Sequence, residues 1–321
     1  MDRIVSPAWC DTMPVMPTAS GFPERRPSRP RGRRPAVADT AWEDQARWYE
    51  ARHGSDGDDF HRRLILLAVR RQLAAKRGQT VLDIGCGTGL LGRALRDRGV
   101  RTLGVDASPA MIAAARRLAG PDEEYLCADA HALGRVLDGR CCDHAALVLV
   151  LQDLDPIADV LAGAAAHVAI GGRLVVVLTH PCLRIPRLSS WGWDDQAGIQ
   201  YRRLDGYLSP QRLPIKTHPG RQQDHRHSSS HHRPLSSYLN ALGGHGWAVV
   251  ACEELTSHRR GTKGPRFAAE DRACREFPVF LVLTACRVEG AEIGKPKAET
   301  KRPKPDGTRP EAGGRRRHRE S

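Results

Sequence analysis

The sequence predicts an α/β chain built on a doubly wound, largely parallel sheet. Three observations predict it. Apolar runs of strand length alternate with helix-periodic segments from residue 79 to residue 180. A glycine-rich turn, "VLDIGCGTGLLG" at residues 81–92, joins one apolar run to the start of a helix. Three aspartates, Asp83, Asp106 and Asp129, recur at intervals of 23 residues near the predicted carboxyl ends of successive strands.

Taken in order, "AWEDQARWYEA" and "DDFHRRLILLAVRRQLAAKRG" space apolar residues as helices do, most clearly Leu64, Leu67, Val69 and Leu73. "TVLDIG" is a short apolar run closed by glycine and fits a buried parallel strand. Residues 89–98 follow as a helix, and "RTLGVD" as a second strand. "SPAMIAAARRLAG" is a helix with Ser108 as its N-cap and Pro109 in its first turn. "EYLCAD" and "DHAALVLVL" are the third and fourth strands, "DPIADVLAGAAAHVAIGG" a helix ending in glycine, and "RLVVVLTH" the fifth strand. After His180 the alternation stops. Residues 181–234 form a long polar segment, expected to be a cap or lid because a structureless loop of that length is rare in a compact domain. "PLSSYLNALGGHG" then reads as a helix, and "WAVVACEEL" and "FPVFLVLTACR" as closing strands.

The glycine turn has the shape of a nucleotide cradle, and its spacing separates the possible ligands. A formal GxGxxG (Gly87, Gly89, Gly92) is present, but a dinucleotide turn needs its first glycine directly after the strand, where Gly85 stands. The better parse is GxGxG: Gly85, Gly87, Gly89. No Lys-Ser/Thr pair follows, which excludes a phosphate-binding loop of the GxxxxGK[ST] kind. Ligands of open α/β sheets bind outside the strand carboxyl ends. Three carboxylates there repel a pyrophosphate and suit a ligand with cationic centres and ribose hydroxyls. S-adenosylmethionine has both, and glycines let the backbone approach it closely. Each aspartate taken singly also fits a turn or helix-cap residue.

"VLDIGCGTGLLG", "GVDASPAMIAAAR", "YLCADAHAL" and "GGRLVVVLTHP" resemble the successive motifs of the class I S-adenosylmethionine-dependent methyltransferases. The first motif is specific, and the rest occur in the right order over roughly residues 41–287. The resemblance implies a Rossmann-like seven-stranded sheet with an antiparallel last strand and a large insertion after strand 5. It implies S-adenosyl-L-methionine as cofactor, with Asp83 among the residues that bind it, Gly85, Cys86, Gly87 and Gly89 along its methionyl side and Asp106 on the ribose. Ala107 and Met111 would lie beside the adenine, Asp129 and Ala130 would face its ring, and Val148 would floor the reaction site. The absence of an "NPPY"-like tetrapeptide after strand 4 argues against methylation of nucleobase or glutamine amino groups. The upstream "WYEARHGSDGDDFHRR" and the insertion are similar to a bacterial small-molecule branch, in which Tyr49 and His61 would approach the cofactor.

Methyl transfer needs alignment, exclusion of water and sometimes removal of a proton, so it leaves little catalytic signature. His180, directly after strand 5, is the best-placed proton acceptor; its other reading is a residue that shapes the loop. Cys182 has no evident activating partner. Trp191, Trp193, Tyr201 and Tyr207 would wall a substrate pocket or pack the insertion on itself. His225, His227, His231 and His232 lie in a Ser-rich run without regular ligand geometry, and no metal is expected.

The chain carries a net charge of +13. Residues 1–40 hold seven Lys/Arg against four acids and residues 288–321 ten against six, leaving about +6 on the middle. Both arms are rich in Pro, Arg and Gly and are expected to be disordered, with weak nonspecific attraction to polyanions. Nine cysteines without a disulfide-like framework, no export-like start and no long apolar run suggest a reduced, cytoplasmic protein without membrane contact. The sequence thus favours methyl transfer to a small-molecule acceptor. It leaves open an RNA or protein acceptor, a non-catalytic cofactor-binding module, and an NAD-dependent oxidoreductase.

Overall fold

The computed structural model describes residues 57–216 and 227–289. The arm 1–40, residues 290–321 of the other arm, the helix expected over residues 41–51, Tyr49 and His225 lie outside these residues.

A seven-stranded sheet runs through the molecule. At its centre β1 (Thr80–Ile84) pairs in parallel with β2 (Arg101–Asp106) on one side and β4 (His144–Val148) on the other. β3 (Glu123–Cys127) extends the sheet beyond β2, and β5 (Arg173–Thr179) beyond β4. β11 (Phe280–Arg287) inserts antiparallel between β5 and β10 (Trp247–Leu255), giving the order β10-β11-β5-β4-β1-β2-β3. The last strand is therefore antiparallel, as expected. The central strands are Val-, Leu- and Ala-rich because helices cover both faces.

Alternate residues feed two cores. Leu82, Ile84, Leu147, Val176 and Leu178 pack beneath α4 (Leu133–Val136), α5 (Ile157–His167) and α6 (Leu235–Gly244). Val81, Ala146, Val175, Val177 and Val282 pack beneath α1 (Leu66–Leu73) and α2 (Leu90–Arg96). A π-helical turn, His61–Ile65, leads into α1. α3 (Pro109–Leu118) closes a small third cluster of Ile112, Ala115, Cys86 and Tyr125. Trp247 is fully buried, and its indole N–H donates to the Leu161 carbonyl at 3.0 Å, fixing β10 against α5. Among the described residues no helix is long and apolar enough to cross a membrane.

Four details depart from the expectations. The fourth strand stops at Val148, because Leu149 turns left-handed (φ 57°) and Leu151–Asp153 form a 3₁₀ turn. α5 ends at His167 rather than at glycine, and Val168 leaves it to bridge Cys142. The segment after β5 contains two hairpins, β6–β7 (Ser189–Asp194, Ile199–Leu204) and β8–β9 (Gln211–Lys216, His227–His232). Leu213 is the one buried apolar side chain among the described positions of these strands, so no apolar alternation announces them. α7 (Phe267–Glu276) was likewise hidden, since only Asp271 and Ala273 of its ten residues are buried.

Candidate functional site

β1 ends in the expected glycine turn. Gly85, Gly87 and Gly89 all adopt left-handed backbone (φ 71°, 51° and 77°), and Gly92, inside α2, does not. The three-glycine parse is therefore the structural one. The amides of Gly85 and Cys86 both donate to the Val105 carbonyl of β2, at 2.7 and 3.1 Å, and the Gly89 amide closes the turn on the Cys86 carbonyl at 2.9 Å. A Cβ on Gly85 would stand 2.4 Å from Val150, so the exit of β4 packs directly against the turn. A Cβ on Gly87 would meet nothing within 4 Å. The backbone at Gly87 is thus laid bare to whatever approaches it.

Asp106, the last residue of β2, buttresses the turn. Its Oδ2 accepts from the Gly87 amide and its Oδ1 from the Ser108 amide, each at 2.9 Å. Ser108, fully buried, caps α3 by accepting from the Met111 amide at 3.2 Å. This places Ala107 between Asp106 and the cap, and buries Met111 in the first turn of α3. Cys86 is buried against Ile112, Ala115 and Tyr125, and burial pushes its thiol well up, so it stays protonated.

Asp83 lies beneath the turn, 2% exposed. Burial, and then the negative charge of Asp106, push its carboxyl up from 3.8 to about 7. Both causes disfavour the charged form of Asp83, and a cation brought beside it would favour that form. The sign of the stability effect follows: in the unfolded chain Asp83 ionises near 3.8, in the folded chain only near 7, so its burial costs stability increasingly as pH rises between them. Asp83→Asn removes that cost. Relative to the native chain, the variant should gain up to about 4 kcal/mol between pH 4 and pH 8, at roughly 1.4 kcal/mol per pH step. Chemical denaturation at the two pH values measures this, and a difference independent of pH would contradict it.

The remaining expected residues are spread more widely. Asp129 is exposed and caps the 3₁₀ turn Ala130–Ala132, its Oδ1 accepting from the His131 amide at 2.9 Å and meeting His131 Nδ1 at 2.7 Å. Burial pushes this carboxyl up, but the His131 amide and ring outweigh it and hold it below the ordinary range. Ala130 is buried in the core under α5, and Val148, half-buried, packs on the α1 side. His180 is 2% exposed, and both its ring nitrogens are engaged. Nδ1 accepts from the Cys182 amide at 3.3 Å, which puts the ring proton on Nε2, facing Glu254 Oε1 at 2.8 Å. The Cys182 thiol donates to the Tyr207 hydroxyl at 3.2 Å.

The insertion roofs the exit of β4. Arg233, at its end, donates to the Leu154 carbonyl and to Asp155, both at 2.7 Å. Asp153 of the 3₁₀ turn faces Ser230; burial pushes its carboxyl up to about 7, with the Ser230 hydroxyl acting the other way. Trp191 packs edge-on against Phe277, the residue after α7, at 5.4 Å, with the Arg202 guanidinium 5.0 Å from its centre, and Arg266 lies 4.5 Å over Trp193. These two rings therefore pin the first hairpin to α7, while Tyr201 is exposed. His231 and His232 point to opposite faces of β9, the first towards Asp155 at 3.8 Å, the second onto the Tyr207 carbonyl at 2.7 Å. His227 belongs to the same strand. Among the described residues no group of three or more metal-ligating side chains is gathered.

Sequence reasoning missed Tyr125, Val150, Asp153 and Glu254. Tyr125 and Val150 were legible only as apolar strand residues, and the glycines that make room for them are their one sequence signal.

Residues 82–176 match the family model of the methyltransferase domain. A S-adenosylmethionine-dependent methyltransferase from Mesorhizobium loti, solved by crystallography, is 27% identical, with a TM-score of 0.56 over 73% of this chain and 100% of that one. A Listeria monocytogenes protein solved as a candidate S-adenosylmethionine-dependent methyltransferase shares the fold at 19% identity, with a TM-score of 0.54 over 70% of this chain and 98% of that one. The comparison with curated proteins gives no match.

Proposed function

The chain belongs to the class I S-adenosylmethionine-dependent methyltransferases, and from that premise we propose that it transfers the cofactor's methyl group to a small-molecule acceptor held beneath the insertion. What supports this place for the cofactor is the open space beside Gly87 together with the buried Asp83 carboxyl four residues before it, whose charged form a cation would favour. The residues present fit the cofactor on those grounds. A pyrophosphate would meet Asp83 and Asp106 with like charge, which disfavours the dinucleotide alternative.

In this reading the left-handed turn Gly85–Gly89 presents its backbone to the methionyl portion, with Cys86 packed below to hold the turn's height. Asp106, which accepts from the Gly87 and Ser108 amides, faces the ribose diol. Ala107 and Met111 flank the adenine, and Asp129 and Ala130 close its far side. Asp83 supplies negative charge beneath the cationic end. When bound, the cofactor supplies a methyl carbon activated by its sulfonium for in-line displacement. The chain's part is to align the acceptor and exclude water. Val148 and the 3₁₀ turn after it form the floor, and the β8–β9 hairpin the roof, of the acceptor space. His180 shapes the base of that roof through the Cys182 amide and Glu254, since its lone pair is already taken.

The small-molecule acceptor is supported by this roof. Asp153–Ser230, Arg233–Asp155 and Tyr207–Leu235 tie the insertion to the exit of β4 and the start of α6, which favours an acceptor small enough to be enclosed. Incubating the purified chain with a metabolite extract and methyl-labelled S-adenosylmethionine tests it. Label should appear in products of low molecular mass. Label only in added RNA or protein would overturn the acceptor class, and none in any fraction despite cofactor binding would indicate a non-catalytic module.

A further inference from the structure

We infer that Tyr125 is a positioning residue that sets the height of the glycine turn, held in place by a charge network on the far edge of the sheet. This rests on the assignment of the turn to the cofactor.

Tyr125 of β3 is 3% exposed and lies under the turn and the start of α2. Its ring occupies the space of three absent side chains. A Cβ on Gly104 of β2 would stand 2.4 Å from the ring's Cδ1, one on Gly89 2.5 Å from the hydroxyl oxygen, and one on Gly92 also 2.5 Å from that oxygen. Such distances are unreachable without displacement. The formal GxGxxG is thereby explained: Gly92 is glycine to clear a tyrosine hydroxyl, whereas Gly89 also needs its left-handed φ.

The hydroxyl is not left to drift. It donates to Glu123 Oε2 at 2.9 Å, with the Gly89 carbonyl 3.3 Å away. Its single proton favours the carboxylate, which makes the stronger, charge-assisted bond. Glu123 is in turn held by Arg96 at the end of α2, with N–O distances of 2.7 and 2.8 Å, and Arg96 also donates to the Leu118 carbonyl at the end of α3 at 2.9 Å. The Glu123 side chain is only 1% exposed, so this pair is shielded from solvent on its acidic side. The desolvated hydroxyl, next to this negative charge, has its pKa pushed strongly up by burial and then by Glu123, and it stays a phenol at any working pH. The chain of support runs from Arg96 through Glu123 and Tyr125 to Gly89, and ends at the atoms that face the cofactor. None of these three side chains need touch the cofactor to tune it.

Tyr125→Phe keeps the ring and removes the hydroxyl. S-adenosylhomocysteine, titrated calorimetrically, should bind the variant roughly fivefold more weakly, the scale of one hydrogen bond. A second comparison separates positioning from general loosening. Gly92→Ala should weaken binding more than Tyr125→Phe does. In the double variant Gly92→Ala/Tyr125→Phe the nearest atoms left to the methyl are those of Thr102, at 3.3 and 3.4 Å, and binding should return to the level of Tyr125→Phe alone. Gly104→Ala should show no such rescue, because its clash is with the ring carbons that phenylalanine retains. Unchanged affinity in Tyr125→Phe, or equal rescue of Gly92→Ala and Gly104→Ala, would overturn the inference. A native chain that fails to bind S-adenosylhomocysteine at all would instead overturn the cofactor assignment on which it rests.

Discussion

Asp106→Ala should weaken binding of S-adenosylmethionine by about 1–3 kcal/mol, the scale of charge-assisted hydrogen bonds lost from a partly buried site. Two losses combine. The alanine cannot accept from the ribose diol, and it also releases the Gly87 and Ser108 amides, each held at 2.9 Å, so the turn and the start of α3 are no longer tied to β2. Asp106→Asn separates these contributions, because its one carbonyl oxygen can retain one of the two amides. Its affinity should fall between those of the native and alanine forms. Calorimetric titration of the three chains decides the matter, and equal affinities would remove Asp106 from the site.

Gly85→Ala and Gly87→Ala should diverge, although both place a methyl on left-handed backbone. At Gly85 the new carbon stands 2.4 Å from Val150 Cγ2 and within about 3 Å of its other carbons, in addition to the cost of φ 71°. A loss of roughly 2–5 kcal/mol of folding stability is expected from strain and overpacking together. Truncation of the neighbour in Gly85→Ala/Val150→Ala should recover the overpacking part. At Gly87 the methyl enters open space, so only the backbone cost remains, about 1–2 kcal/mol. It projects where the cofactor is proposed to approach, however, and binding should fall far more than stability. Thermal melts paired with titrations measure both. Equal stability losses in the two variants would contradict the packing described here.

The contrast explains what the sequence made legible. A glycine forced by positive φ after an apolar strand is visible as spacing, and Gly85, Gly87 and Gly89 were readable for that reason. Parallel strands buried on both faces read as continuous Val and Leu runs, so the succession of the central strands along the chain was legible, whereas their order in the sheet came from the structure. Tyr125 and Val150 were not readable as site residues, because their contribution lies in contacts that glycines 20 to 65 positions away make possible. The hairpins of the insertion were invisible for the opposite reason. Their stability comes from Trp191 and Trp193 pinned by Arg202, Arg266 and Phe277, pairs that sequence order scatters over some 85 residues. His180 was correctly placed at the end of β5. Its partner Glu254 belongs to β10, 74 residues away, so the engagement of both its nitrogens could not be foreseen.

The most direct test of the whole account is a calorimetric titration of the purified chain with S-adenosylhomocysteine at pH 6 and pH 8, beside one with a nicotinamide dinucleotide. A single site for the sulfur compound, tighter at the higher pH because Asp83 once deprotonated can pair with the ligand's ammonium group, and no heat with the dinucleotide is the outcome expected. Silence towards the sulfur compound together with saturable uptake of the dinucleotide would contradict it.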